Sequence, residues 1–124
     1  MQSVEIFKNF LGHIFAGEMN QAMDFVDESA QFINDFDGVF VGHQGAQEFF
    51  GKFGETFIPG EFIIENSFGD NVHAAFYGKL SHTVKTTGKA FNSDWALVGK
   101  VHNEKIVLYH FYENTLALQE AMNL

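Results

Sequence analysis

Glu113, His82 and Tyr109 are the residues whose types and spacing could do chemistry in this chain. In KIVLYHFYE, strand alternation puts Tyr109, Phe111 and Glu113 on one face and His110 with Tyr112 on the other. In VHAAFYGKLSHTV the same period groups Phe76, Gly78, Leu80 and His82. A carboxylate or imidazole in an aromatic-walled cavity is costly unless it is hydrogen-bonded, hydrated or used. There Glu113 would be partly protonated and able to act as acid or base, with His82 as proton partner and Tyr109 donating to a carbonyl oxygen. The alternatives are Glu113 at a strand end in solvent, and His82 in a satisfied core contact or at a cavity mouth.

Other chemistries find little support. The six histidines (His13, His43, His73, His82, His102 and His110) form no HxH pair and no HExxH, and there is no GxSxG elbow, phosphate loop or dinucleotide fingerprint. The expectation is therefore no metal and no cofactor. Seven Lys plus Arg against sixteen Asp plus Glu give a net charge of -9, which disfavours nucleic acid and anionic membranes as partners. The chain has no Cys, hence no disulfide or thiolate chemistry, and the cytoplasm is the default compartment. MQSVEIFKNFLGHIFAGE lacks a basic leader and a long apolar run, so neither a signal peptide nor a membrane span is expected.

The elements that must position these residues follow from periodicity. At 124 residues, with 46% hydrophobic residues and sixteen Phe, the chain reads as one domain over 1–124 with ample core material. Ile6, Phe7, Phe10, Leu11, Ile14 and Phe15 predict an amphipathic helix from Ser3 to Ala16, capped by Ser3 and stopped by Gly17. A second short helix carries Ala22, Met23, Phe25 and Val26 and ends near Asp27 and Glu28. Ala30 to Asn34 and Val39 to Val41 read as short strands. GAQEFFGKFGETF is a third helix, with Phe49, Phe50, Phe53 and Phe57 inward, broken by Pro59 and Gly60. EFIIENSF, VHAAFYGKLSHTV, KAFNSDWALVGKV and KIVLYHFYE then form a meander, and Asn114 caps a last helix through Leu118 and Met122. Helices first and hairpins later indicate an α+β domain with an antiparallel sheet covered on one face.

AGEMNQAMDFVDESAQFIN, GHQGAQEFFGKF and EKIVLYHFYENT, in this order, resemble the SnoaL-like and ketosteroid-isomerase-like families of the nuclear-transport-factor-2-like superfamily. The resemblance implies a cone-shaped α+β fold, with N-terminal helices on a strongly curved, mainly antiparallel sheet that encloses a pocket. It also implies that Phe76, Gly78, Leu80 and His82 share the inner side with Trp95, Leu97, Tyr109, Phe111 and Glu113. The ligand-binding set implied for that pocket is Trp95, Phe111, Asn34, Phe10, Leu80 and Leu97. Relatives include isomerases, cyclases, epoxide hydrolases, dehydratases and proteins with no chemistry, so the pocket residues decide.

Aligned with ketosteroid isomerase, the oxyanion Tyr falls near Phe10, the general-base Asp near Asn34 and the oxyanion Asp near Leu97. All three are replaced, which disfavours steroid isomerisation. A one-residue shift would substitute Asp35 or Ala96, and only Asp35 restores an acid. The SnoaL-like ending is usually an acid followed by Thr, whereas here Asn114 precedes Thr115.

Three functions remain open. One is a cofactor-free enzyme (a proton-transfer isomerase, cyclase or hydrolase) acting on an apolar carbonyl or cyclic substrate. The second is a non-catalytic domain that binds a small apolar ligand. The third is a dimerisation module with a filled cavity. The outer face, with Lys79, Tyr77, His110 and Tyr112, suggests a homodimer contact; a solvated sheet is the alternative.

Overall fold

The computed structural model describes residues 2–123. Their order is α1 (Ser3–Phe15), α2 (Met19–Met23), β1 (Val26–Asn34), β2 (Gly38–Val41), α3 (Gly42–Thr56), β3 (Phe57–Gly69), β4 (His73–Val84), β5 (Ala90–His102), β6 (Lys105–Glu113) and α4 (Thr115–Met122). The α+β architecture is thus as the sequence implies. One six-stranded sheet runs β2-β1-β6-β5-β4-β3, antiparallel throughout except where β1 lies parallel to β6.

Alternation makes the sheet two-faced. On β4 and β5 almost every second residue is buried, among them Phe76, Leu80, His82, Phe91, Trp95 and Leu97. Helix α1 lays Ile6, Phe7, Phe10 and Leu11 onto that face. Phe7 approaches so closely that a Cβ on Gly99 would overlap its ring and the Leu108 carbonyl oxygen. The β5–β6 hairpin turns on Asn103 and Glu104, both at positive φ, a geometry that matches strand twist. Asn114 caps α4 by accepting the Ala117 N–H at 3.0 Å.

Several boundaries differ from the sequence reading. Ser3 does not cap α1: it is the first helical residue, wholly buried, and its hydroxyl faces the carbonyls of Asp70 and His73 at 2.6 and 2.7 Å. Val26, expected in a helix, opens β1, because its carbonyl is bonded by His43 at 2.7 Å and Ile106 donates to the adjoining Phe25 carbonyl. Helix α3 starts at Gly42, three residues early, where a positive φ and contact with the Glu28 carbonyl favour glycine. Pro59 and Gly60 do not interrupt β3, since it is an edge strand and its ladder shifts register between Ile58 and Glu61. Phe57 points inward from β3 rather than α3, and Phe53 stays 38% exposed.

The Phe7 contact sets a test of packing between helix and sheet. Gly99→Ala should destabilise the fold by about 1–3 kcal/mol through overpacking, read as a lower urea midpoint at unchanged slope.

Candidate functional site

The inner sheet face, α1, α3 and the end of α4 enclose a cavity of about 550 Å³, within the range of small-molecule sites. Helix α1 supplies Leu11, Ile14 and Phe15, α3 supplies Phe49, Phe50 and Phe53, and α4 supplies Leu118 and Met122. The strands add Phe57, Phe62, Leu80, Phe91 and Phe111. The floor is an aromatic cluster around Tyr109, whose ring centroid lies 5.1 Å from Phe32, 5.5 Å from Phe49 and 5.7 Å from Phe50.

Glu113 interrupts this apolar lining. Parallel pairing sets Asn34 opposite Phe111, so the Asn34 amide reaches the carboxylate, Nδ2 to Oε1 at 3.5 Å. Its Oδ1 accepts the Phe36 N–H at 2.8 Å, which fixes the amide orientation. Burial pushes the Glu113 carboxyl up from 4.5 to about 7; the Asn34 hydrogen bond opposes this and the Asp37 charge adds to it. Burial, with a contribution from Glu113, also raises the Tyr109 phenol, which therefore remains a neutral donor at physiological pH. Burial lowers His82, with the Ser81 carbonyl opposing in part, and favours a neutral imidazole. The site thus joins one carboxyl able to hold or release a proton near neutrality to neutral donors.

Of the residues expected here, Glu113, His82, Tyr109, Asn34, Phe111 and Leu80 all line the cavity. Trp95, Phe10 and Leu97 do not. Trp95 is shielded by Phe62 and Phe111, stacked on them at 4.5 and 5.7 Å. Phe10 is fully buried between Phe32, Phe50 and Tyr109, and Leu97 is buried in the hydrophobic core. His13 stacks on Phe25 and bonds Glu18 at 2.9 Å, away from the cavity. Asp35, the acid that a register shift would have brought in, lies on the opposite face and pairs with His110 at 3.0 Å.

Glu113 and His82 do not meet. Glu113 shares a rung with Trp95 and Gly78, and His82 lies four residues further along β4. On a flat sheet that is roughly 13 Å along the strand and roughly 10 Å across it. Asp37, Lys52 and Thr56 also line the cavity and were not anticipated. Asp37 folds back through a turn in which its N–H donates to the Asn34 carbonyl, a closure that the run DFDG does not by itself announce. Among the described residues no group of three or more His, Cys, Asp or Glu could hold a metal ion, and no helix is long and apolar enough to cross a membrane.

Comparison with known proteins places this geometry. A family model for the SnoaL-like domain matches residues 7–109. The chain belongs to the SnoaL-like family. Among solved structures, this SnoaL-like chain is similar to an NTF2-like protein from Burkholderia xenovorans (22% identity, covering 97% of this chain and 95% of that one, TM-score 0.89). It is also similar to a candidate polyketide cyclase from Pseudomonas putida (15% identity, 99% of each chain, TM-score 0.82). A protein of ketosteroid-isomerase-like fold from Catenulispora acidiphila, in complex with trimethylamine, matches at 11% identity, over 98% of this chain and 93% of that one, with TM-score 0.80. No curated protein matches in sequence comparison.

The SnoaL-like cavity leaves a signature in stability. A carboxyl raised in the folded state stabilises fully below about pH 4.5, and that contribution is lost as pH rises through about 7. Relative to Glu113→Gln, the wild type should lose about 3 kcal/mol across that window, measured by urea unfolding as a function of pH.

Proposed function

We propose that the cavity is the site of a cofactor-free enzyme, a proton-transfer isomerase, cyclase or hydrolase acting on an apolar carbonyl or cyclic substrate. One observation carries the reading: Glu113 sits in an aromatic cavity with its carboxyl pushed up to about 7, where general acid–base catalysis is most effective. Glu113 takes or gives the proton, Tyr109 donates to a developing oxyanion, and Asn34 orients the carboxyl. The candidate polyketide cyclases among the structural neighbours, and the neighbour that holds trimethylamine, support a small-molecule site of this kind. Steroid isomerisation is disfavoured, because the resemblance to ketosteroid isomerase puts Phe10, Asn34 and Leu97, none of them an acid, near the positions of its acidic groups.

A second reading, non-catalytic binding of an apolar ligand, is favoured by the small number of polar groups in the lining. The two separate on Glu113→Gln. For an enzyme, turnover falls by about 10²–10⁴-fold with binding retained, and the wild-type kcat/KM inflects near pH 7. Under the binding reading no member of a panel of steroids, polyketide mimics, terpenoids and fatty acids is turned over, and Phe111→Ala weakens affinity. Trp95 fluorescence reports occupancy in either case, through its stacking on Phe62 and Phe111.

The outer sheet face is proposed as the contact with a second copy of the chain. One row, Phe68, Ala75, Val98, His110, Ile33 and Val39, crosses all six strands. Phe68, Val98 and Val39 on it are exposed, as are Tyr77 and Tyr112 on the next row. Lys79 and Asp94 pair at 2.6 Å on the same face, so it carries both signs and is compatible with itself. Sedimentation should show a wild-type dimer and a Val98→Lys monomer; a monomeric wild type excludes this contact.

A further inference from the structure

His82 is 4% exposed, and its Nδ1 accepts the Gly60 backbone N–H at 2.9 Å. An accepted N–H occupies the Nδ1 lone pair, so the proton of the neutral ring is on Nε2. This contact is built into the fold: β3 passes so close to β4 that a Cβ on Gly60 would overlap the Ser81 carbonyl oxygen. Phe53 stands edge-on to the imidazole at 5.1 Å and Phe57 lies against it at 5.6 Å, fixing the ring. Among the described residues, Nε2 has no hydrogen-bond partner although it is buried, and His82 lines the cavity together with Gly60, Phe53 and Phe57. Among the described residues Trp95 Nε1 is the other unpaired buried side-chain atom, and Trp95 is not part of the lining.

A buried, unpaired N–H is costly, and an acceptor inside the cavity can relieve it. We infer that His82 is a binding residue rather than a proton partner of Glu113: its Nε2–H takes an acceptor oxygen at the far end of an elongated apolar ligand. The inference rests on reading the cavity as a small-molecule site, and it narrows the ligand class. The separation between the Glu113 rung and His82 requires a rigid or extended skeleton. Such a ligand carries a carbonyl or ring group at the Glu113, Asn34 and Tyr109 end and a ketone, ether or hydroxyl oxygen at the other. A ligand offering only an N–H or ammonium donor at that end would face a donor and be rejected.

The test has two parts. Nitrogen-15 spectra of the imidazole at neutral pH should show His82 as the neutral Nε2–H tautomer; an Nδ1–H tautomer or an imidazolium overturns the inference. Affinities are then read by Trp95 fluorescence for matched pairs that differ in one remote oxygen: androstenedione against its analogue lacking the D-ring ketone, and a hydroxyanthraquinone against anthraquinone. The member with the extra oxygen should bind about tenfold tighter, the size of one neutral hydrogen bond. That gap should vanish in His82→Phe and persist in His82→Gln, whose amide can both accept from Gly60 and donate. Equal affinities within each pair, or a gap that survives in His82→Phe, overturn it. Binding that shifts the Glu113 titration without any gap removes His82's role and leaves the cavity reading standing. No binding by any member of any pair defeats both.

Discussion

The parallel pairing of β1 with β6 is the contact on which the site depends. The meander from β3 to β6 could close by its own hairpins, but it would then present Glu113 at an unpaired sheet edge. Pairing Asn34 with Phe111 and Ile33 with His110 puts β1 on that edge, and two side chains 79 residues apart in sequence come together as Asn34 and Glu113. The same pairing settles both faces at once. Asn34 turns toward the cavity and Asp35 to the outer face, where it accepts from His110 while Tyr112 bonds the other ring nitrogen at 2.9 Å. A slip of one residue would exchange amide for acid, and a further carboxylate, beside that of Asp37, would then stand directly against Glu113.

Burial and pairing pull Glu113 in opposite directions, and burial wins. The Asn34 amide approaches only to 3.5 Å, at the long limit of a hydrogen bond, and no cation pairs with the carboxylate among the described residues. Desolvation is therefore weakly compensated, and Asp37 adds like-charge repulsion. A close Lys or Arg would have fixed the carboxylate in its ionised form and removed its use as an acid. The arrangement costs stability at neutral pH, which is consistent with the acid–base role proposed for Glu113.

Much of this was legible in the sequence because the strands that carry the chemistry are long and alternate cleanly. Period two placed Tyr109, Phe111 and Glu113 on one face and His110 with Tyr112 on the other, and the HNEK turn fixed the hairpin. Alternation says which face a residue shares, but not what covers it. Trp95 and Leu97 have the right parity and are nevertheless sealed off, Trp95 by Phe62 arriving from a different strand. Ser3 carried every mark of a helix cap, and it is used instead by a loop 67 residues away. Phe25 and Val26 suit the end of a helix or the start of a strand equally well, and the long-range partners His43 and Ile106 decide. Asp37 was invisible for the same reason, since its place beside Glu113 follows from a turn closed on Asn34.

The separation of Glu113 from His82 changes what kind of chemistry the cavity supports. An acid and a base within reach of each other can relay a proton and regenerate themselves without the ligand. Here the two share no hydrogen bond, and His82 is shifted by burial rather than by the Glu113 charge. In the proposed reaction proton traffic would therefore fall on Glu113, with the Asn34 amide hydrogen-bonded to it and the neutral Tyr109 phenol close by, neither of which changes charge. One group that must both remove and return the proton favours reactions in which it goes back to the same molecule, such as isomerisation or ring closure by aldol-type addition. Hydrolysis would need the same carboxyl to activate a water within a largely aromatic enclosure. If the proposed enzymatic reading holds, this argument favours isomerase and cyclase over hydrolase.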